Sequence, residues 1–266
     1  MTINTMDDIA SAMAVSQKIN IMKNITVPKA IGSWQSSWQA VGFPPSGGPA
    51  PLYSGGAGFA CDENTVGAMQ YSNASVQNYL AKLAMTSVIA GTFILADRLW
   101  SCGGMGFAPT TYTVLSPGSL PARITDNGLG CEIWVEQFIA AGAATNSLTV
   151  TYLDPDNNTR NGIIPTVVSS PLINQMQPVP QPAGSTGVKQ IVSATNSNTW
   201  TSGSWGLTIL KRIATIEVPL QGVGKTLDWS ALGLPKIPND ACLMLIWQGG
   251  AATASQVVGQ LVVIDK

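Results

Sequence analysis

The stretch Glu132-Ile-Trp-Val-Glu-Gln-Phe138 alternates in character, with Ile133 and Val135 on one face and polar or aromatic side chains on the other. Ser147-Leu-Thr-Val-Thr-Tyr-Leu153 alternates in the same way, and the Asp-, Asn- and Gly-rich segment 154–162 after it is typical of a turn. A period of two residues places successive side chains on opposite faces of a strand. These stretches therefore predict β-strands, the second of them leading into a hairpin turn.

Six further segments after residue 105 are apolar or rich in β-branched residues and are separated by turns. No helical pattern lies between them, and residues 171–187 read as a Pro-, Gln- and Gly-rich loop. A series of short strands without intervening helices is typical of an antiparallel β-sandwich. The six segments are Ile163–Val168, Lys189–Ala194, Gly206–Leu210, Arg212–Pro219, Ala241–Trp247 and Gln256–Ile264.

Residues 1–27 are predicted to form a separate helical arm. Thr5 can cap a helix whose first turn carries two aspartates, and the helix dipole favours negative charge there. Ile9 and Met13 belong to a loose apolar stripe at helical spacing. Such a helix docks onto its own chain or reaches a neighbouring subunit, and the sequence leaves both open.

Residues 28–70 are predicted to be irregular. The run 42–58 is rich in Gly and Pro, which interrupt helices and strands alike. A loop of this length is uncommon in a compact domain unless it is functional or packs on a partner. Trp34 and Trp38 precede it at a spacing of four, which predicts one shared face of a short helix and a packing role for both.

The segment 75–101 is predicted to be a buried helix. Ser75 is a suitable N-cap, good helix formers follow it, and Gly103-Gly104 supply a stop. From Leu83 onward the segment is apolar on nearly all sides, as in a helix that is buried all round. The apolar run 83–96 is too short to span a membrane.

The predicted fold class is therefore α+β, mainly β. Residues 1–104 contain the N-terminal arm, the Gly/Pro-rich loop and the buried helix, and residues 105–266 contain the antiparallel β-sandwich. The arm and the loop 42–58 are predicted to reach neighbouring subunits. The interface candidates are apolar or aromatic residues of these segments and two tryptophans that flank a Gly/Ser turn: Ile9, Met13, Trp34, Trp38, Phe43, Tyr53, Trp200 and Trp205.

Charged residues are scarce. Lys and Arg number 13 and Asp and Glu 14 among 266 residues, or 10%, against about 25% in an ordinary soluble domain. A surface with so few charges is weakly protected against self-association, which predicts contacts with further copies or with a partner. No basic patch is visible, and binding to a nucleic-acid backbone needs one.

The chain has no histidine. Ser-His-Asp triads, Cys-His pairs and HExxH zinc sites are therefore excluded, and neither an enzyme nor a cofactor or metal site is predicted. The four cysteines (Cys61, Cys102, Cys131 and Cys242) form no CxxC pair and are predicted to be free buried thiols of a reducing cytoplasm. A disulfide such as Cys61–Cys102 stays open as the alternative.

Three local motifs resemble functional sites incompletely. Gly222-Val-Gly-Lys-Thr226 resembles the end of a phosphate-binding loop, but Pro219 stands where the full pattern needs glycine. The segment 154–162 begins with the alternating oxygen ligands of a calcium loop and lacks its glycine and final acid, which favours a hairpin turn. Glu132 and Glu136 share one strand face, whereas glycosidase carboxylates flank a groove, so both are predicted to be solvated or paired with Arg or Lys.

The segment from Ala122 to Gly162 also carries a family resemblance. Its strands around 131–138 and 147–154 and the turn Asp156-Asn-Asn-Thr-Arg160 resemble virion structural proteins of tailed bacteriophages. The charge-poor, histidine-free composition and the late strand Ala214-Thr-Ile-Glu-Val-Pro-Leu220 are similar too. The resemblance implies a jelly-roll-like β-sandwich attached to a phage head or tail and assembled as an oligomer in the host bacterial cytoplasm.

The sequence thus favours a non-enzymatic virion protein that decorates or cements a phage capsid as a trimer or larger homo-oligomer, together with other virion proteins. Neither nucleic acid nor a membrane is a predicted partner. A first alternative is a binding module at a tail or fibre tip that recognises a host surface glycan, with Trp200 and Trp205 as exposed aromatic candidates. A major capsid shell protein is the second alternative, and a carboxylate-based glycosidase comes last.

Overall fold

The structure is a computed structural model, and it describes residues 3, 5–25, 32–47, 58–106, 111–113, 120–142, 146–167, 172–198 and 202–265. These residues form two short helices and seventeen strands. Every strand pairing among them is antiparallel. The prediction of a mainly β, antiparallel protein is therefore confirmed.

The helices are α1 (Met6–Ala14) and α2 (Trp229–Leu232). The strands are, in chain order, β1 (Gln17–Ile25), β2 (Trp34–Ser36), β3 (Val41–Phe43), β4 (Phe59–Ala60), β5 (Asn78–Ser87), β6 (Gly91–Met105), β7 (Thr111–Thr113), β8 (Cys131–Ile139), β9 (Asn146–Leu153), β10 (Thr159–Val167), β11 (Gln175–Pro178), β12 (Gln190–Asn196), β13 (Ser204–Val218), β14 (Lys225–Asp228), β15 (Lys236–Ile237), β16 (Leu243–Gly249) and β17 (Ser255–Asp265). Within the described residues, neither helix has the length and hydrophobicity needed to cross a membrane.

A closed barrel stands between two smaller sheets. Its strands follow the order β13-β8-β11-β2-β16-β6, and β6 pairs again with β13, which closes the ring. The short β4 pairs with the far end of β6. Register shifts at three points along the pairing of β13 with β6 bend these long strands, as closure requires. The predicted jelly-roll-like sandwich is therefore not confirmed, because the central sheet closes on itself.

The two smaller sheets pack against the outside of the barrel. The front sheet has the order β14-β5-β17-β1-β3, with β15 also beside β5, and the back sheet has the order β10-β9-β12-β7. Under the front sheet, Leu83 and Leu261 share a core cluster with Phe93 of the barrel. Under the back sheet, Val150 shares another cluster with Trp100. The barrel wall is thus apolar on its outer side wherever a sheet covers it.

The predicted N-terminal arm is helical only over Met6–Ala14. Thr5 caps this helix as predicted, since its side chain accepts from the backbone N–H of Asp8, whose carboxylate accepts from the backbone N–H of Thr5. Residues 17–25 were expected to continue the helix but form β1, because alternate side chains of this segment are buried. The helix docks on the front sheet beside Val262, so the arm is part of the body.

The predicted buried helix over 75–101 is wrong, since the segment forms β5 and β6. In β6 every side chain from Phe93 to Gly103 is buried, because the barrel interior lies on one face and a packed sheet on the other. A strand buried on both faces reads as a continuous apolar run, which periodicity does not distinguish from a buried helix. The predicted helix stop Gly103-Gly104 lies inside β6.

Strands from both sides of the predicted boundary at 104/105 share sheets. β1 pairs with β17 over their length, from Gln17 with Val263 to Ile25 with Ser255. β6 pairs with β13 and with β16. The segment 1–104 therefore supplies strands to the barrel and to the front sheet.

The barrel interior encloses an ion pair. Arg98 Nη2 lies 2.8 Å from Glu136 Oε2, and the two side chains are 1% and 0% exposed. The guanidinium of Arg98 also donates to Ser101 Oγ at 2.7 Å and lies 4.6 Å from the ring centroid of Trp38. Thr208 Oγ1 donates to the same glutamate at 3.3 Å. Each charge depends on the other, because burial makes an unpaired ion costly.

We expect Glu136→Gln to lower the free energy of unfolding by about 3 kcal/mol, because the amide keeps the shape but leaves the buried guanidinium of Arg98 without a counter-charge. Asp126→Asn is the matched control. Asp126 pairs with Lys211 at the surface, where the two side chains are 38% and 34% exposed, and its loss should cost less than about 1 kcal/mol. Denaturant titration measures both changes, and equal losses would contradict the role given to the buried pair.

Candidate interaction surface

The structure buries several predicted interface candidates within the chain itself. Ile9 is 8% exposed, and Met13 is partly buried beside Val262 of the front sheet. Trp205 is 1% exposed and lies in the cluster between the barrel and the back sheet. Tyr53 and Trp200 lie outside the described residues. The helix α1 therefore docks onto its own chain. Trp205 has a core role, which the sequence left open as an alternative to an interface role.

The prediction that Trp34 and Trp38 share one face of a short helix is wrong. Trp34 belongs to β2, and Trp38 lies in the turn after it. Trp34 meets Trp134 edge to face, with ring centroids 5.6 Å apart. The carbonyl of Trp38 accepts from the backbone N–H of Gly47 at 2.8 Å, and a Cβ at Gly47 would overlap the Trp38 ring. Trp38 thus anchors the start of the loop 42–58.

Phe43 is the interface candidate that the structure places on the surface. It is 53% exposed and ends β3, which pairs with β1 at the edge of the front sheet. Cross-strand register puts Phe43 opposite Met22, Met22 opposite Val258, and Val258 opposite Thr86. Met22 is 47% exposed and Val258 41%. One apolar row therefore runs across β3, β1 and β17 on the outer face.

The rows beside it carry no charge. In the next row Val41, 59% exposed, lies opposite Asn24, and Gln256 Nε2 donates to Asn24 Oδ1 at 3.2 Å. On the other side, Gln260 Nε2 donates to Asn20 Oδ1 at 3.1 Å. We call this surface the front-sheet patch; it comprises Asn20, Met22, Asn24, Val41, Phe43, Gln256, Val258 and Gln260.

A buried lysine holds the edge strand of the patch in place. Lys23 points away from the patch, is 1% exposed, and donates through Nζ to the carbonyls of Ala40 at 3.0 Å and Pro45 at 3.4 Å. These two carbonyls bracket β3. Burial lowers the pKa of Lys23 to about 8. Gly42 allows the close approach, since a Cβ there would lie 1.9 Å from the carbonyl oxygen of Met22.

Sequence reasoning found Phe43 but missed Met22, Val41 and Val258. A signal for Met22 exists: Ile19, Ile21 and Ile25 alternate along one face of β1, and Met22 is an apolar residue on the opposite face. The helix assigned to residues 1–27 concealed this period of two. Val258 belongs to a strand that was predicted, but its position beside Met22 depends on pairing between distant segments.

The incomplete motifs serve structural purposes. Asp154 accepts from the backbone N–H groups of Asp156 and Asn158 and from Arg160 Nε, which builds the predicted hairpin turn between β9 and β10. Burial raises the pKa of Asp154, but the hydrogen bonds from Arg160 and Asn158 outweigh it and lower the pKa to about 2. Gly222-Val-Gly-Lys-Thr226 runs into the strand β14 rather than opening a helix.

The two glutamates considered for glycoside hydrolysis are both paired with arginine. Glu136 pairs with Arg98 inside the barrel, and Glu132 Oε1 lies 2.5 Å from Arg212 Nε at its mouth. The predicted pairing of Glu132 and Glu136 with Arg or Lys is confirmed. Among the described residues, no three Cys, Asp or Glu side chains are grouped to hold a metal ion.

A charged cleft of about 460 Å³ opens beside the barrel mouth. Asp97 and Arg123 line its floor and pair at 2.8 Å, and Asp126 and Lys211 pair at 2.6 Å on its wall. The arginine is mostly buried and donates through Nη2 to the carbonyl of Cys61. Most of the charge in this cleft is thus neutralised by partners within the chain.

No protein-family model matches the chain, and no curated protein matches it. Among solved structures, the chain is similar to infectious bursal disease virus, Gx strain, at 11% identity and a TM-score of 0.23, over 93% of this chain and 78% of that one. The VP2 subviral particle of the same virus gives 10% identity and a TM-score of 0.19, over 94% and 80%.

A similarity also exists to the family 11 carbohydrate-binding module of a cellulosomal cellulase of Clostridium thermocellum. It has 11% identity and a TM-score of 0.21, over 60% of this chain and 96% of that one. At TM-scores of 0.23 and below, none of these similarities assigns a fold family or a function to the chain.

We expect the stability of the protein to rise, relative to Lys23→Met, as the pH is raised from about 8 to 10.5. Over this window the unfolded chain keeps the proton of Lys23 while the folded chain releases it, so deprotonation favours the folded state. Below this window the burial of the charged amine opposes folding. Denaturant titration at several pH values measures the difference between the two proteins.

Lys18→Met is the matched control, because it removes an exposed lysine from the same strand. A stability difference between the wild type and Lys23→Met that stays constant from pH 8 to 10.5 would contradict the lowered pKa of Lys23 in the folded protein.

Proposed function

We propose that the chain is a non-enzymatic structural protein of a phage virion, which decorates or cements the capsid through contacts between its own copies and with other virion proteins. The observation that carries the proposal is the front-sheet patch, an uncharged surface with an apolar row at the edge of a sheet. The charge-poor composition and the resemblance of the segment 122–162 to phage virion proteins support the same function.

The composition of the patch is that of a protein interface. Interface cores are enriched in aromatic residues and Met and depleted in charged residues. Phe43 and Met22 lie opposite each other in the apolar row, with Met22 at its centre, and asparagine and glutamine pairs flank the row. Contacts through such groups combine apolar burial with hydrogen bonds and need no ion pairs.

Some of the few charges of the chain are engaged in ion pairs elsewhere. Within the described residues, five ion pairs join ten charged side chains out of the 27 in the sequence. Three of these pairs have one or both members buried. The surface therefore has even fewer unpaired charges than the composition indicates, and little like-charge repulsion opposes association.

The edge strand β3 adds a second mode of contact. Among the described residues, β3 pairs with β1 alone, so its other side presents backbone N–H and C=O groups. An edge strand of this kind is a template for pairing with another chain. Both modes place the contact at the same end of the front sheet.

The glycan-binding alternative has less support. It requires exposed aromatic side chains on a loop, and Trp205, one of its two candidates, is 1% exposed with its ring packed edge to face on Tyr112. Phe43 is the aromatic residue that the described surface offers instead, and it is flanked by apolar side chains.

The major capsid shell alternative predicts closed shells formed by this protein alone.

We expect the purified protein to form a trimer or larger oligomer whose mass is the same at low and at high salt, because uncharged contacts are not screened. Light scattering or sedimentation at two salt concentrations measures the mass. A monomer at both concentrations, or dissociation at moderate salt, would contradict the proposal. Closed shells without any other protein would favour the shell alternative.

Phe43→Lys should reduce association at least tenfold, because it places a charge in the apolar row beside Met22. Ile163→Lys is the matched control: Ile163 is 51% exposed on the back sheet, close to the 53% of Phe43, and should leave association unchanged. Equal effects of the two substitutions would show that the front-sheet patch is not the contact.

A further inference from the structure

Two cysteines meet where one strand of the barrel changes partners. β13 pairs along one side of β6, so β16 and β4 lie one after the other along its other side. The pairing with β16 reaches Asp97 of β6, and the pairing with β4 resumes at Trp100. Cys242 precedes β16 and Cys61 follows β4, so both occupy the junction.

Backbone hydrogen bonds fix the positions of both cysteines. The N–H of Cys61 donates to the carbonyl of Leu99 at 3.0 Å, and the carbonyl of Cys242 accepts from the N–H of Arg98 at 2.8 Å. The two cysteines therefore lie beside consecutive residues of β6. Consecutive positions along a strand are about 3.3 Å apart. The two cysteines therefore lie close to the separation of about 4.4 to 6.8 Å between Cα atoms at which disulfides form.

The two thiols also face the same way. Cys61 and Cys242 belong to the cluster inside the barrel, with Ala96 and Trp134, and are 1% and 0% exposed. The two side chains are close enough for each to shift the pKa of the other. Both cysteines are free thiols in this structure, as the sequence predicted.

The surroundings make the two thiols unequal. Burial raises the pKa of Cys61, but the hydrogen bond from Cys242 and the nearby guanidinium groups of Arg98 and Arg123 outweigh it and lower the pKa. Burial and the neighbouring Cys61 raise the pKa of Cys242 well above its ordinary value. Cys61 is thus the member of the pair that ionises first, and the thiolate is the reactive form of cysteine.

The other two cysteines have no such neighbour. Cys102 and Cys131 lie in the cluster outside the barrel wall, on the opposite side from Cys61. β13 separates them, with Cys102 opposite Leu207 and Cys131 opposite Lys211, about 13 Å apart along the strand. A Cys61–Cys102 disulfide, left open by the sequence, would have to cross the barrel wall.

We propose that Cys61 and Cys242 form a disulfide when the folded protein meets an oxidant such as hydrogen peroxide, and that this bond locks β4 to β16 at the barrel mouth. The thiolate of Cys61 attacks one peroxide oxygen, so an S–O bond forms, the O–O bond breaks and the hydroxide released takes up a proton as water. Cys242 then attacks the Cys61 sulfur, so the S–S bond forms, the S–O bond breaks and a second water leaves. Two thiols are oxidised, and one peroxide is reduced to two waters.

One cleft comes close to the backbone of Cys61. The charged cleft beside the barrel mouth ends at Arg123, whose Nη2 donates to the carbonyl of Cys61 at 2.8 Å. Arg123 thus connects the lining of the cleft with the backbone of Cys61. The inference does not depend on the proposed virion function, because it concerns a bond within one chain.

The experiment treats the purified, folded protein with hydrogen peroxide and counts free thiols after denaturation. We expect the count to fall from four to two, with the loss of two hydrogen atoms in intact mass and a peptide that joins Cys61 to Cys242. The cross-link should raise the midpoint of thermal unfolding by on the order of 5 °C, because it closes a long loop of the unfolded chain.

The double variant with Cys102→Ala and Cys131→Ala is the matched control and should still lose two thiols on oxidation. Cys61→Ala should keep all three remaining thiols, whereas Cys242→Ala should lose no more than the Cys61 thiol, as a sulfenic acid, and neither variant should gain a cross-linked peptide. Peptide mapping of the wild type needs no variant to fold, so it decides the question by itself. Four free thiols after oxidation, or a cross-link that joins any other pair, would overturn the inference.

Discussion

The pairing of β6 with β13 is the contact on which the rest of the structure depends. It runs the whole length of both strands and closes the barrel. The front sheet packs on one stretch of this wall and the back sheet on another, so Phe93 and Trp100 of the same strand belong to different core clusters. Inside the ring, Arg98 projects from β6 and meets Glu136 of β8. One strand therefore contributes to all three regions of the core.

Part of this architecture can be predicted from the sequence. β8, β9 and the turn at Asp154 follow from alternation and turn chemistry, because successive side chains of both strands differ in character and Asp154 accepts the hydrogen bonds of the turn. β6 cannot be found in this way: it is covered on both faces, so its apolar run lacks a period. β5 alternates between buried and half-buried side chains, but its Leu, Ala, Lys and Met residues are good helix formers and favour a helix. β1 shows a period of two, but an N-cap at Thr5 and apolar residues at helical spacing favour a continuous helix. The front-sheet patch is the least predictable feature, because Phe43, Met22 and Val258 come together only through the register of three distant strands.

Several of the few charges serve internal purposes. Arg98 and Glu136 specify the barrel interior, Asp97 and Arg123 tie the loop before β8 to β6, and Asp154 organises a hairpin. Lys23 uses an ammonium group to hold the backbone on either side of β3. The uncharged front-sheet patch and the charges paired in the interior are thus two aspects of one distribution. They agree with the proposal that this face is covered by other molecules in the assembled state.

The pairing of β1 with β17 also sets the order in which the molecule can fold. β17 lies between β5 and β1, so the front sheet lacks its central strand until residues 255–265 have left the ribosome. Pairings between such distant segments form slowly, because a long loop must close first. The hairpin of β9 and β10 needs only neighbouring residues and can form far earlier. The apolar row requires Met22 from β1 and Val258 from β17, so a nascent chain does not carry this surface until residue 258 has left the ribosome.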